Sequence, residues 1–232
     1  MKNILAPEHI GALIVIAVTT AVLVVAARRR PGPWLRVFAL FLVAAEAAWW
    51  VNLASGGGSP GQRAQALPLQ LCDVAVLITA AALWTRRQLL VELAYFWGLA
   101  GTIQGLVTPD LPNHFPDFWF LQYYAVHGGI IAAALVMVVG LRIYPRPWSV
   151  VRIGAITVAY AALVGLINVA TGADYMYLRA KPSSASLLDV LGPWPWYILA
   201  GTGIAFVFFA ILEAPFRIRE AAARTAPPTP PR

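Results

Sequence analysis

The chain has 232 residues, with 17 Lys or Arg, 10 Asp or Glu and a formal net charge of +7. Hydrophobic residues make up 60% of it and charged residues 12%; a soluble domain carries about 25% charge, so a soluble globule and a disordered chain are both excluded. A single cysteine excludes an internal disulfide and a thiolate cluster.

A bilayer-spanning helix needs about 20 apolar residues. Seven stretches of this kind stand between polar breaks, at 9–27, 35–54, 67–84, 89–107, 118–141, 150–170 and 193–213. The first is followed by Arg28-Arg29-Arg30, a stop-transfer pattern rather than a cleavage site, so it reads as a retained helix. The second carries Glu46 and Asn52 and leads into a flexible loop, Gly56 to Gly61. Gln70, Cys72 and Asp73 open the third. The fourth begins near Glu92 and holds Gln104 toward its far end, with Thr108 and Asp110 beyond; Gly98, Gly101 and Gly105 share one of its faces and permit close helix approach. Gln122 and His127 fall in the first half of the fifth, Asn168 approaches the end of the sixth, and Asp189 precedes the seventh, which runs to Glu213. The expected architecture is an all-α, seven-helix membrane domain over residues 1–216, followed at 217–232 by a basic, proline-rich, disordered cytoplasmic tail.

Counting Lys and Arg by side sets the direction. With the N-terminus outside, the inner segments hold 13 basic residues: Arg28, Arg29, Arg30 and Arg36; Arg86 and Arg87; Arg142, Arg146 and Arg152; and Arg217, Arg219, Arg224 and Arg232. The outer segments hold four, Lys2, Arg63, Arg179 and Lys181. The positive-inside rule therefore puts the N-terminus out and the C-terminus in. Basic residues that cluster at one membrane face in this way need no nucleic-acid partner.

Hydrogen-bonding side chains are expensive in hydrocarbon, so their depth is informative. Glu46, Asn52, Gln70, Cys72, Asp73, Gln104, Gln122, His127 and Asn168 all fall in the outer half, whereas Glu92 and Glu213 sit at the inner boundary. One such residue is more often glue between helices; a layer drawn from five helices points to a polar cavity open to the outer leaflet. His127 lies roughly 15 Å along the fifth helix and is suited to serve as base, proton relay or ligand. Cys72 is either a buried small hydrophobe or a nucleophile, and only a nearby base would favour the second role. Asp73 or Glu46 could orient such a histidine. No second deep histidine and no metal-ligand spacing accompany His127, so no metal and no cofactor are expected. A light-driven retinal protein needs a lysine in the last helix, and the only lysines are Lys2 and Lys181.

Leu67-Pro-Leu-Gln-Leu-Cys-Asp73, Tyr95-Phe-Trp-Gly-Leu-Ala-Gly-Thr-Ile-Gln104, Leu106-Val-Thr-Pro-Asp-Leu111, His127-Gly128, Asp174-Tyr-Met-Tyr-Leu-Arg-Ala-Lys-Pro182 and Leu188-Asp-Val-Leu-Gly-Pro-Trp-Pro-Trp-Tyr197 resemble the YwaF-type integral membrane proteins of bacteria. The resemblance covers the third to seventh helices. That family is similar to transmembrane protein 164, a eukaryotic acyltransferase that moves fatty acyl chains between phospholipids. The resemblance implies a multi-pass protein of the bacterial plasma membrane with membrane lipids as partners. It also implies an acyl-transfer or lipase site in which Cys72 is the nucleophile and His127 the base. In such a site Asp73 or Glu46 would orient the histidine, and Gln104, Asn168 or nearby backbone would stabilise the oxyanion. Two other readings fit the same polar layer: a proton-coupled transporter or channel using Glu46, Asp73 and His127, and a non-catalytic protein that binds lipid in the outer cavity. The near absence of polar groups in the inner half weighs against a transport path.

Overall fold

Each apolar stretch becomes a helix, and each polar break a loop, in the computed structural model of the chain, which describes residues 6–57, 67–109, 111, 113–182 and 186–225. Lys2, Arg63, Asp110, most of the glycine loop expected at 56–61 and the proline-rich tail from residue 226 lie outside the described residues. The helices are α1 (Pro7–Arg29), α2 (Trp34–Ala54), α3 (Leu71–Thr85), α4 (Gln88–Val107), α5 (Phe118–Gly140), α6 (Ser149–Thr171) and α7 (Trp196–Thr225). All but α3 are long and apolar enough to cross a membrane. Two short 3₁₀ turns, Tyr175–Tyr177 and Leu187–Leu191, lie between α6 and α7 and were not foreseen. The last helix continues through Thr225, past the boundary expected at 216.

Side chains explain several of these ends. Pro7 occupies the first turn of α1, where its missing N–H is no loss. The Asp117 carboxylate accepts the Trp119 N–H at 2.8 Å and opens α5. Gly172, in the left-handed region at φ 76°, closes α6. The third helix begins at Leu71 rather than at Leu67, because Pro68 disfavours a helical Leu67 and because Gln70 and Asp73 form a capping box.

Helices consecutive in sequence alternate in direction, so α1 and α5 run parallel, as paired bonds at both ends record. At the end that holds the start of α1, His9 of α1 meets Tyr124 of α5 at 2.6 Å, and the Gln122 side chain of α5 donates to Ala45 O of α2 at 3.3 Å. At the opposite, arginine-rich end, Arg28 donates to Val139 O across α1 and α5 at 3.2 Å. There the Glu92 carboxylate of α4, fully buried, accepts from Arg146 and from Arg152 at 2.9–3.1 Å. This bond holds the Arg146 guanidinium above its ordinary pKa. Glu213 of α7 accepts the Val150 N–H at 3.2 Å and pairs with Arg217. The two carboxylates at the inner boundary are thus knots that tie the α5–α6 connection to α4 and α7.

The core lies along α4 and α5. Most of each is buried, whereas α1, α2, α6 and α7 expose most of their length. Helix α5 packs against α1, α2, α3 and α4, while α6 and α7 pair with each other and reach the far side of α4. Exposed faces are apolar, among them Val15, Val18 and Val22 of α1, Leu166 and Val169 of α6, and Val207 and Ile211 of α7. Water would penalise so large an apolar surface, and lipid matches it. Both central helices are locally widened into π turns, at Trp97–Thr102 in α4 and Val136–Gly140 in α5.

Candidate functional site

The first turn of α3 carries the thiol. Residues Leu67 to Gln70 precede the helix without helical hydrogen bonds, so their backbone needs other partners at this depth. Tyr175 supplies one, its hydroxyl accepting the Leu67 N–H at 3.1 Å. Tyr160 of α6 supplies another by donating to Leu69 O at 2.9 Å. The Gln70 N–H donates to Asp73 Oδ2 at 3.1 Å, and the Met176 N–H donates to Gln70 Oε1 at 2.9 Å. Held in this way, Cys72 is the second residue of α3 and half-buried, and its Sγ donates to Asp73 Oδ1 at 3.5 Å. Glu46 of α2 is buried within electrostatic range of Asp73 and accepts from Trp50 at 3.2 Å. Cys72 and Asp73 are thus in contact, and Glu46 and Tyr160 lie within electrostatic range of both.

His127 is the tenth residue of α5. Its Nδ1 lies 2.9 Å from Tyr123 O. A carbonyl oxygen can only accept, so Nδ1 carries the proton and the neutral ring presents its lone pair at Nε2. The ring stacks on Tyr123 at 4.0 Å between centroids, and the Tyr123 hydroxyl is fixed by Gly105 O at 2.6 Å. A Cβ on Gly105 would stand 3.3 Å from His127 Nε2, so this glycine is what admits the imidazole. One turn away, a Cβ on Gly101 would stand 2.9 Å from the Leu71 side chain, next to Cys72. The glycine stripe of α4 therefore receives α3 and α5 one turn apart. Leu71, the residue before Cys72, and the His127 imidazole thus meet the same short stretch of α4, and the thiol and the imidazole are not hydrogen-bonded to each other.

The other expected residues divide. Asn168 is fully buried, but both ends of its amide are engaged: Nδ2 donates to Tyr175 O and Oδ1 accepts the Tyr175 N–H, each at 2.9 Å. It holds the Tyr175 turn over the entrance of α3, and one N–H of its amide is spent on that contact. Gln104 is exposed, one residue from Gly105. Asn52 lies under Gly57 at the end of α2, and Asp189 caps its own 3₁₀ turn through the Ser186 N–H. Tyr123, Tyr160 and Tyr175 had not been singled out. Tyr123 had a signal, since it precedes His127 by one helical turn, and Tyr160 is a polar-tipped ring within a mostly apolar helix. Tyr175 reaches α3 across 108 positions, and nothing local marks that contact.

No curated protein and no solved structure matches the chain. A family model does, and it takes in α1 to α6 and α7 as far as Glu213. With that match over residues 4–213, and with six helices apolar enough to span, the chain is an integral membrane protein that belongs to the TMEM164 family.

Proposed function

We propose that the protein is an acyltransferase or lipase acting on the acyl chains of phospholipids in the bacterial plasma membrane, with its site toward the outer leaflet. The observation that carries the reading is the shared glycine stripe: Leu71, beside Cys72, lies against Gly101, and His127 lies against Gly105. A cysteine with a hydrogen-bonded acceptor and a histidine whose free nitrogen faces the same stretch are the parts that acyl transfer requires.

In this scheme the Cys72 thiol gives its hydrogen to Asp73 and the sulfur attacks the ester carbonyl carbon. The carbon–oxygen bond breaks, the departing lysophospholipid oxygen takes the proton back from Asp73, and an acyl thioester remains on Cys72. His127 Nε2 then removes the proton from an acceptor hydroxyl or from water, whose oxygen attacks the thioester carbonyl; the carbon–sulfur bond breaks and the leaving sulfur takes the proton from His127. Glu46, within electrostatic range of Asp73, supports the proton exchange. Gln104 and the backbone at the entrance of α3 supply donors for the developing oxyanion.

The test is a covalent adduct. Full-length protein incubated with phospholipid carrying a labelled acyl chain accumulates a hydroxylamine-sensitive adduct on Cys72, and Cys72→Ala abolishes it. His127→Ala leaves the adduct formed but slows its discharge by about 10²-fold or more, the range for loss of a positioned base. An adduct that persists in Cys72→Ala, or solute flux that depends on His127 and not on Cys72, overturns the assignment.

A further inference from the structure

The arginine-rich end of the bundle holds a cavity of about 400 Å³ between the start of α2 and the end of α3. From Cys72 to Thr85, α3 covers about 20 Å, so the cavity is remote from the thiol. Leu35 and Leu83 back its wall but are themselves covered, so the apolar surface it offers is that of Trp84, 49% exposed. Its rim carries two exposed guanidinium groups, Arg36 and Arg86, and between them stands Trp84. The Arg36 guanidinium lies over the Trp84 ring at 5.5 Å, which holds that cation at the rim instead of leaving it to wander.

Charge pairing separates these two arginines from others nearby. Arg146, Arg152 and Arg217 each meet a glutamate, whereas among the described residues no carboxylate pairs with Arg36 or Arg86. The backbone adds to the field. The first turn of α2 points its positive end at the cavity. The carbonyls ending α3 face the other way in charge, but Thr85 Oγ1 donates to Ala81 O and the Arg86 N–H to Ala82 O, which satisfies two of them. Arg86 is held at φ 53°, in the left-handed region, by this terminal turn.

We propose that this cavity binds the phosphate headgroup of an anionic phospholipid, with Arg36 and Arg86 on the phosphate and Trp84 along the glycerol region and the first acyl carbons. A half-exposed indole beside two guanidinium groups matches a molecule that is charged at one end and greasy immediately below. A free phosphate would use the guanidinium groups and leave the indole unmatched, so the lipid fits the cavity better. The site is independent of the acyl-transfer reading, and either stands if the other falls.

Full-length protein in nanodiscs of phosphatidylcholine with a minor share of phosphatidylglycerol, stripped stepwise of bulk lipid and read by native mass spectrometry, tests the proposal. The unaltered chain retains one phosphatidylglycerol. Arg36→Gln with Arg86→Gln lowers that retention by about tenfold, as expected for loss of two basic contacts at an anionic headgroup. Arg29→Gln with Arg30→Gln removes the same charge outside the cavity and leaves retention unchanged. Trp84→Leu, which removes the stacking surface and no charge, gives an intermediate loss. Equal retention in all variants, or equal loss in both double variants, overturns the proposal. Release of the bound lipid by inorganic phosphate, at concentrations that leave bulk lipid unchanged, overturns it in favour of a free-anion site.

Discussion

At the scale of single residues, the position of a polar group along the chain proved a good guide to which end of the bundle it occupies and a poor guide to what it does there. Asn168 was read as a candidate oxyanion donor because an amide deep in a helix is costly, and the cost is met within the protein, by the two backbone groups of Tyr175. Asn168→Ala leaves both groups buried without partners and is expected to lower stability by about 2–3 kcal/mol. Asn168→Asp, which keeps the acceptor and loses the donor, falls between. Thermal unfolding in detergent measures both, and an unchanged midpoint for the alanine variant would remove Asn168 from its supporting role. Glu92 is the converse case, a boundary carboxylate that received no function from sequence and proves to bind two arginines. Glu92→Ala is expected to cost about 3 kcal/mol, the low end for an uncompensated buried pair, because the Arg146 side chain is 48% exposed and water takes up part of the loss. A midpoint shift smaller than that of a surface substitution such as Arg219→Ala would contradict it. Cys72 and His127 were legible as the singular residues of their helices, whereas the acceptor of the thiol hydrogen, Asp73, was legible only as a neighbour.

At the scale of helices, hydropathy located all seven, since an apolar run bounded by charge has few alternatives in a bilayer. What it missed is where regular helix stops. The residues expected at the head of α3 are held instead by Tyr160, Tyr175 and Met176, contacts that arise far away in sequence, and by the nearby Asp73. Close approach between helices was legible in Gly98, Gly101 and Gly105, and less so in Gly154 of α6. A methyl group at Gly154 would lie inside the Phe206 ring of α7. Gly154→Val therefore forces α6 and α7 apart and is expected to cost about 1–3 kcal/mol. Phe206→Ala in the same chain relieves the crowding, so a double variant no more stable than Gly154→Val alone would place the strain elsewhere.

At the scale of the whole molecule, the expected orientation rests on basic residues that gather where Glu92 and Glu213 lie, and it is open to a direct check. In a Cys72→Ala background, a membrane-impermeant maleimide applied to intact cells is expected to label Ser55→Cys and to spare Arg29→Cys; the reverse pattern would invert the topology and move the thiol to the cytoplasmic leaflet. The two ends of the bundle are joined through α4, which is tied to the α5–α6 connection by Glu92 and lies against His127 at Gly105. Between those points the helix makes its wide turn at Trp97–Thr102. Each residue of an ordinary α-helix advances the spiral by about 100°, and the wide turn takes up one residue more than a regular turn, so the helix beyond it keeps its phase. Excising Ala100 would restore a regular spiral, a change that helix propensity alone would favour, and would leave Gly105 against the imidazole and Glu92 in its knot. What it would alter is the turn itself, where Gly101 receives Leu71. A chain that folds, keeps its Glu92 contacts and yet acylates Cys72 poorly would identify that irregularity as the seat on which the thiol's helix rests.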